Sequence, residues 1–274
     1  MQKLNIAIPQ DAVWILNKLN EGGHEAYIVG GCVRDSILGR MPQDWDITTS
    51  ALPEEIKTIF DHTFDTGIKH GTITVVLHHE NYEVTTYRID GEYADCRHPD
   101  KVSFTKKLNE DLLRRDFTMN AIAYHPKEGF RDPFHGQEDI AAGMIRGVGE
   151  PAKRFQEDAL RMLRCVRFSA QLGFAIDPET WAALCANTAL IQKISAERIR
   201  EELQKLWLAP FAKKMPLLWE SGLLAQIDAT LSASLIANSQ TLLEEISLCP
   251  KDSILRWCIV LQHYPLSEVK GFLR

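Results

Sequence analysis

Gly30-Gly31-Cys32-Val33-Arg34-Asp35, followed by Asp44-Trp45-Asp46, decides the reading of this chain. The apolar run Ala26-Tyr27-Ile28-Val29 ahead of it predicts a buried strand, and residues 33–38 predict a short helix stopped by Gly39. The glycine pair therefore sits at a strand-to-helix turn. Without side chains there, backbone N–H groups can approach an anion at the positive end of the helix. Arg34, one turn further on, is placed to add a forked charge-assisted contact of the kind that suits a phosphate.

Asp44-Trp45-Asp46-Ile47-Thr48 has the composition of a strand. In a strand, residues two apart face the same side, ~6.6 Å apart along the chain. Asp44 and Asp46 are then spaced to hold a pair of hard cations roughly 4 Å apart, an arrangement that lowers the pKa of an attacking hydroxyl and neutralises a leaving pyrophosphate. Oxygen-only ligation favours Mg²⁺ over zinc. A bare Asp-x-Asp is more often a solvated turn, and it is the glycine pair upstream that raises it. Glu83, in the β-branched and aromatic run Tyr82-Glu83-Val84-Thr85-Thr86-Tyr87-Arg88, reads equally as a third acidic catalytic group beside the metals or as an exposed glutamate on a polar strand face.

The chain has 274 residues, 45% hydrophobic and 25% charged, enough for one large or two ordinary domains with real cores. It opens with neither a signal nor a transit peptide, and no apolar run reaches membrane-spanning length, so a cytoplasmic protein without a membrane partner is expected. The six cysteines are scattered without a C-x-x-C pair, which predicts reduced core residues rather than zinc ligands or disulfides. A net charge of −6 argues against a generally basic coat for nucleic acid but permits a local basic groove.

Residues 11–19 and 53–60 predict amphipathic helices, and residues 72–77 a strand, followed at hairpin distance by residues 84–88 with residues 78–81 as the turn. Residues 90–109 are polar and broken by Gly91 and Pro99, predicting one long loop that contains Asp90, Gly91 and Arg97. After Asp132-Pro133-Phe134-His135-Gly136 only helical periodicity continues, over residues 150–172, 178–190, 196–208 and beyond. The fold class expected is α+β: a mixed sheet flanked by helices, then an all-helical region.

Residues 155–168 predict a four-turn helix on which Asp158, Arg161, Arg164 and Arg167 recur every three residues along one ridge. That ridge is either a solvated face with an Asp158–Arg161 ion pair or a surface presenting one carboxylate and several guanidinium groups to a nucleotide. Cytosine and adenine each offer an exocyclic amine beside a ring-nitrogen acceptor, so one acceptor and one donor read both. Uracil and guanine would set a carbonyl against the carboxylate.

Taken together, the motifs resemble the class II tRNA nucleotidyltransferases, the CCA-adding enzymes, and their poly(A) polymerase relatives. The resemblance rests on Gly30-Gly31-x-x-Arg34-Asp35, Asp44-x-Asp46, Arg114-Arg115-Asp116-Phe117-Thr118-x-Asn120-Ala121, Asp132-Pro133-Phe134-x-Gly136, Glu157-Asp158-x-x-Arg161 and Glu197-Arg198-x-x-Glu201-Glu202, in that order over residues 20–208. It implies a catalytic head over residues 1–140, a helical neck over 141–208 and the start of a helical body over 209–274, with a nucleotide pocket between head and neck. It further implies Mg²⁺-dependent addition of C, C and A from CTP and ATP to the tRNA 3′ end in the acceptor arm.

By the same resemblance, Asp44 and Asp46 are the metal-binding catalytic pair, and Gly30, Gly31 and Arg34 hold phosphate. Arg115 and Asp116 contact the ribose, Asp158 and Arg161 template the base, and Arg164 and Arg167 lie near the nucleotide. Glu197 to Glu202 would brace the template helix, and the segment with Asp90, Gly91 and Arg97 would be the family's flexible loop. His98 departs from the arginine that close relatives carry after Arg97. Family members continue beyond position 274, so a C-terminal truncation that weakens tRNA binding more than nucleotide binding is expected. The alternatives are an A-adding enzyme or poly(A) polymerase built on the same motifs, a catalytically silent tRNA-binding module, and a nucleotide hydrolase.

Overall fold

Four consecutive apolar side chains make residues 26–29 a strand buried on both faces, and that strand is central to the sheet. The computed structural model describes residues 6–91, 102–265 and 267. These divide into two compact units: residues up to 91, 102–142 and 146–149 form one, and residues 143–145 with those from 150 onward form the other.

In the first unit the chain runs α1 (Gln10–Glu21), β1 (Ala26–Val29), α2 (Gly31–Ile37), β2 (Ile47–Thr49), α3 (Pro53–Ile59), β3 (Thr63–Gly67), β4 (Thr72–Leu77) and β5 (Glu80–Thr86). It continues through β6 (Arg88–Asp90), β7 (Val102–Phe104), α4 (Leu108–Leu113), β8 (Ala123–His125), β9 (Gly129–Arg131) and α5 (Gly136–Ala142). A mixed seven-stranded sheet has the order β3-β4-β5-β2-β1-β8-β9. The β2–β5 pair is parallel, with Ile47 opposite Val84, and β1 is antiparallel to both β2 and β8. Tyr27, Val29, Tyr87, Leu108, Leu112, Ala121, Ala123 and Val148 pack into one buried cluster.

The second unit is helical: α6 (Pro151–Glu157), α7 (Leu160–Leu172), α8 (Pro178–Asn187), α9 (Ala196–Trp207), α10 (Leu217–Glu220), α11 (Leu223–Ile227), α12 (Ala229–Ala237), α13 (Ser239–Leu248) and α14 (Ser253–Leu261). Buried Arg256 on α14 donates to the carbonyls of Trp207, Ala209, Cys249 and Pro250, satisfying the C-terminal ends of α9 and α13.

Five expectations need correction. The strand read over Asp44-Trp45-Asp46 begins only at Ile47. Asp46 O still accepts from Val29 N at 3.0 Å, but at Gly30 the chain turns away and its N–H goes to Ile122 O, so nothing extends the ladder to Asp44. The β4–β5 turn is the two residues His78 and His79, both at positive φ, rather than residues 78–81, so β5 starts at Glu80. The loop expected over residues 90–109 is shorter, because Arg88–Asp90 pairs with Val102–Phe104 and α4 begins at Leu108. Residues 92–101, with Arg97 and His98, lie outside the described part.

The helix read over residues 150–172 is two helices broken at Asp158, which is extended at φ −141°, ψ 103°. Strands also do not stop at Gly136: β10 (Met144–Ile145) and β11 (Ala175–Ile176) form a short parallel pair, too brief to leave a pattern. Among the described residues no helix is long and apolar enough to cross a membrane, and the five described cysteines are free thiols.

His125 on β8 is buried, with Nε2 against the Asn20 side-chain amide at 3.1 Å and Nδ1 accepting from Lys127 N at 3.2 Å. Burial pushes its pKa below the ordinary 6.5, with Glu128 opposing and Lys127 adding to the effect. The folded chain thus keeps the neutral ring, and as pH falls below about 6.5 the unfolded chain protonates first. Stability is full above that pH and declines toward the folded pKa. Melting temperatures between pH 7.5 and 5.5 should fall more steeply for the wild type than for H125N; equal slopes would contradict this.

Candidate active site

The turn after β1 is built on Gly30, at φ 84° and ψ −132°, a combination essentially confined to glycine. A Cβ there would stand 3.0 Å from Arg115 Nη1, 3.8 Å from Asn120 O and 3.9 Å from Asp46 Oδ2. The turn is therefore the place where the arginine and the aspartate converge. Gly31 opens α2, and Arg34 Nη2 would be 3.7 Å from a Cβ on it.

Arg34 is 5% exposed and its guanidinium is committed within the fold. Nη1 donates to Asn120 Oδ1 at 2.7 Å, and Nε and Nη2 each donate to Asp35 at 3.0 Å. Asn120 Nδ2 in turn donates to Asp116 Oδ1 at 3.0 Å, which also accepts from Phe117 N. This chain of bonds ties the glycine-turn helix to the Arg114-to-Ala121 motif. Asn120 was not singled out from sequence as a site residue, although its place in that motif was the available signal.

Asp44, Asp46 and Glu83 all have exposed side chains. The parallel register sets Val84 opposite Ile47, which leaves Glu83 on β5 and Asp46, just ahead of β2, at the preceding positions. The Asp46 carboxyl is pushed up, first by the protein atoms that crowd it although its surface remains accessible, and then by the negative charges of Glu83 and Asp44; Arg115 opposes them. Three carboxylates thus share one field with a single neighbouring guanidinium. Oxygen donors with under-compensated charge are of the kind a hard divalent cation takes, and Asp44 and Asp46 are the residues that would hold one. Glu83 does not complete a three-ligand group with them: among the described residues no group of three His, Cys, Asp or Glu side chains is placed to hold a metal ion. Asp90 ends β6 and Gly91 follows it.

In the second unit, Asp158 lies at the break between α6 and α7. Its carboxylate accepts from Leu160 N at 3.0 Å, satisfying an end-of-helix donor, and from Arg198 on α9 at 2.9 and 3.3 Å. Arg161 does not pair with Asp158. Its Nη1 donates to Glu157 Oε2 at 2.7 Å and to Arg154 O at 3.1 Å, while Arg154 Nη2 holds the other Glu157 oxygen.

Arg167 is buried: Nε donates to Glu202 Oε2 and Nη1 to Gln171 Oε1, both at 2.6 Å, and its guanidinium lies 3.8 Å over the Phe168 ring. Arg164 is half-buried, 5.3 Å from the same ring. The expected single ridge is thus divided. Asp158 and Arg167 both meet α9, whereas Arg161 turns back to α6. The segment from Glu197 to Glu202 does brace α7, as expected, through Arg198 on Asp158 and Glu202 on Arg167; the Arg198–Asp158 pair itself was not named, since no local spacing connects residues 40 apart.

The model of the poly A polymerase head domain matches residues 26–146, and that of the probable RNA- and SrmB-binding site of polymerase A matches residues 173–231. The CCA-adding enzyme of Geobacillus kaustophilus is 44% identical over 97% of this chain and 65% of its own length. That of Geobacillus thermodenitrificans is 54% identical over 78% of this chain and 53% of its own. The chain belongs to the tRNA nucleotidyltransferase and poly(A) polymerase family. A solved structure of the Bacillus stearothermophilus CCA-adding enzyme in complex with CTP superposes with a TM-score of 0.82 at 42% identity, over 97% of this chain and 65% of that one. The chain thus spans between about half and two thirds of the relatives it matches. Members of this nucleotidyltransferase family generally depend on a divalent metal.

Two outcomes follow from the packing. G30A combines a forbidden backbone with a collision at Arg115, and should cost about 2 kcal/mol or more of stability while weakening nucleotide binding, read by calorimetry and equilibrium dialysis. E202L takes the buried Glu202 carboxylate away from the Arg167 guanidinium and should cost about 3 kcal/mol. A change below 1 kcal/mol on chemical denaturation would show that the pair does not brace α7.

Proposed function

We propose that this chain is the catalytic part of a CCA-adding tRNA nucleotidyltransferase that extends tRNA 3′ ends with C, C and A from CTP and ATP, acting in the cytoplasm. The reaction is attack of the terminal ribose hydroxyl on the α-phosphate, with release of pyrophosphate. The observation that carries the reading is the meeting of Gly30, Arg115 and Asp46 at one turn, in a chain that shares 44% identity with a CCA-adding enzyme over nearly its whole length.

In this reading each group has a separate task. Asp44 and Asp46 hold Mg²⁺, the species favoured by oxygen ligands, which supplies charge neutralisation at the reacting phosphate. Glu83 adds a third negative charge that raises the site's demand for cations. The Gly30-Gly31 turn leaves room for phosphate oxygens, Arg115 offsets their charge, and Arg34, held by Asp35 and Asn120, steadies the helix that follows the turn. Asp116, fixed by Phe117 N and Asn120, accepts from the ribose 2′-hydroxyl, which selects ribonucleotides.

Base choice falls to Asp158 and Arg161. Arg198 holds the Asp158 carboxylate and Glu157 holds the Arg161 guanidinium, so acceptor and donor are preset before a base arrives. Arg164 stands on the same helix, one turn on. The tRNA acceptor arm is the primer.

The test is a set of tRNA transcripts lacking three, two or one terminal nucleotides, each given CTP or ATP alone with Mg²⁺. CTP should be used only by the first two and ATP only by the third. Use of ATP without CTP on every transcript would instead identify an A-adding enzyme or poly(A) polymerase, and phosphate release without a primer would identify a hydrolase. D44A removes several kcal/mol of charge stabilisation and should slow incorporation by roughly a thousandfold while leaving tRNA binding intact.

A further inference from the structure

Asp111, on α4, is a fully buried carboxylate with no part in the reaction as described above. Its Oδ1 accepts from Arg114 Nε and Nη2 at 2.9 and 2.7 Å and from Arg88 N at 3.3 Å. Its Oδ2 accepts from Thr48 Oγ1 at 3.3 Å and Arg115 Nη2 at 3.4 Å. Thr48 is two residues past Asp46 on β2, so one anion joins the strand that follows the aspartate pair to the arginine beside it. Burial alone would push this carboxyl up, but Arg114 and Arg115 outweigh it and hold it below the usual carboxylate range. It is a buried anion.

Buried ion pairs are a poor source of net stability, because desolvation offsets their attraction. What Asp111 does supply is geometry. Among the described residues the Arg115 side chain has one hydrogen bond, the one from Nη2 to Asp111, and its buried Nε has none. Its Nη1 faces the Gly30 turn. A flexible side chain tethered at one point is located by that tether.

We propose that Asp111 is a positioning residue: by holding Arg115 Nη2 it fixes that guanidinium beside Gly30 and Asp46, and so sets the affinity for the nucleoside triphosphate rather than the rate of the chemical step. The proposal rests on the reading of the Gly30 turn as a nucleotide site. An effect on ground-state binding raises KM and leaves kcat nearly unchanged, which a merely structural role would not do selectively.

The test compares wild type, D111N, R115A and the double variant, each as the full 274-residue chain. The readouts are CMP incorporation from CTP into a transcript lacking CCA, equilibrium dialysis of CTP and ATP with Mg²⁺, and melting temperature. D111N keeps the shape and loses the charge; it should raise KM and Kd about tenfold with kcat within about threefold, and the double variant should match R115A. Unchanged nucleotide affinity in folded D111N, or effects that multiply in the double variant, would overturn the proposal.

If D111N fails to fold, D111N/R114M restores the charge balance and is read the same way. A wild type that binds nucleotides but does not incorporate CMP would sink the CCA reading while the dialysis still decides the role of Asp111. A wild type that binds neither nucleotide would overturn both.

Discussion

At Gly30 the backbone adopts a conformation closed to other residues, and the space vacated by its missing side chain is where Arg115 Nη1 and Asp46 Oδ2 draw together. The first unit is arranged around that turn. β1 must be buried at the centre of the sheet to deliver the turn, β2 must pair with β1 to bring Asp46 alongside, and β5 must run parallel to β2 to set Glu83 next to it. A site of three carboxylates and one arginine costs stability through repulsion and desolvation. The buried sheet and the Arg34–Asn120–Asp116 bonds hold it in place.

The helical unit solves a related problem differently. Its polar groups are preset by pairing rather than by backbone strain. The extended residue Asp158 interrupts what would be a continuous helix, and its carboxylate then both satisfies the start of α7 and meets Arg198. Arg167 and Glu202 repeat the link between α7 and α9 further along. Two ion pairs between the same two helices fix their register, so the start of α7 moves only if α9 moves with it.

Much of this was legible in the sequence, and the rest was hidden for physical reasons. The α+β class, the glycine turn and the strand over residues 72–77 followed from local patterns, because burial and backbone chemistry act within a few residues. The turn over residues 78–81 was read two residues too long because left-handed conformations, here at His78 and His79, are usually signalled by Asn or Gly. The break at Asp158 escaped because periodicity continues across it, and the Arg198 that meets its carboxylate comes from far along the chain. Asp111 escaped as a site residue for the opposite reason: it sits one turn from Arg115, but its burial depends on Thr48 and Arg88, which only the folded sheet brings near.

If the chain joins nucleotides, the Gly30 turn must receive the triphosphate. The direct measurement is an anomalous difference map from crystals of this chain grown with Mn²⁺ and a non-hydrolysable CTP analogue. A manganese peak held by Asp44 and Asp46, with phosphate oxygens within hydrogen-bond distance of the Gly30–Gly31 backbone and of Arg115, is the predicted result. A nucleotide ordered elsewhere on the chain, with no metal between the two aspartates, would contradict it.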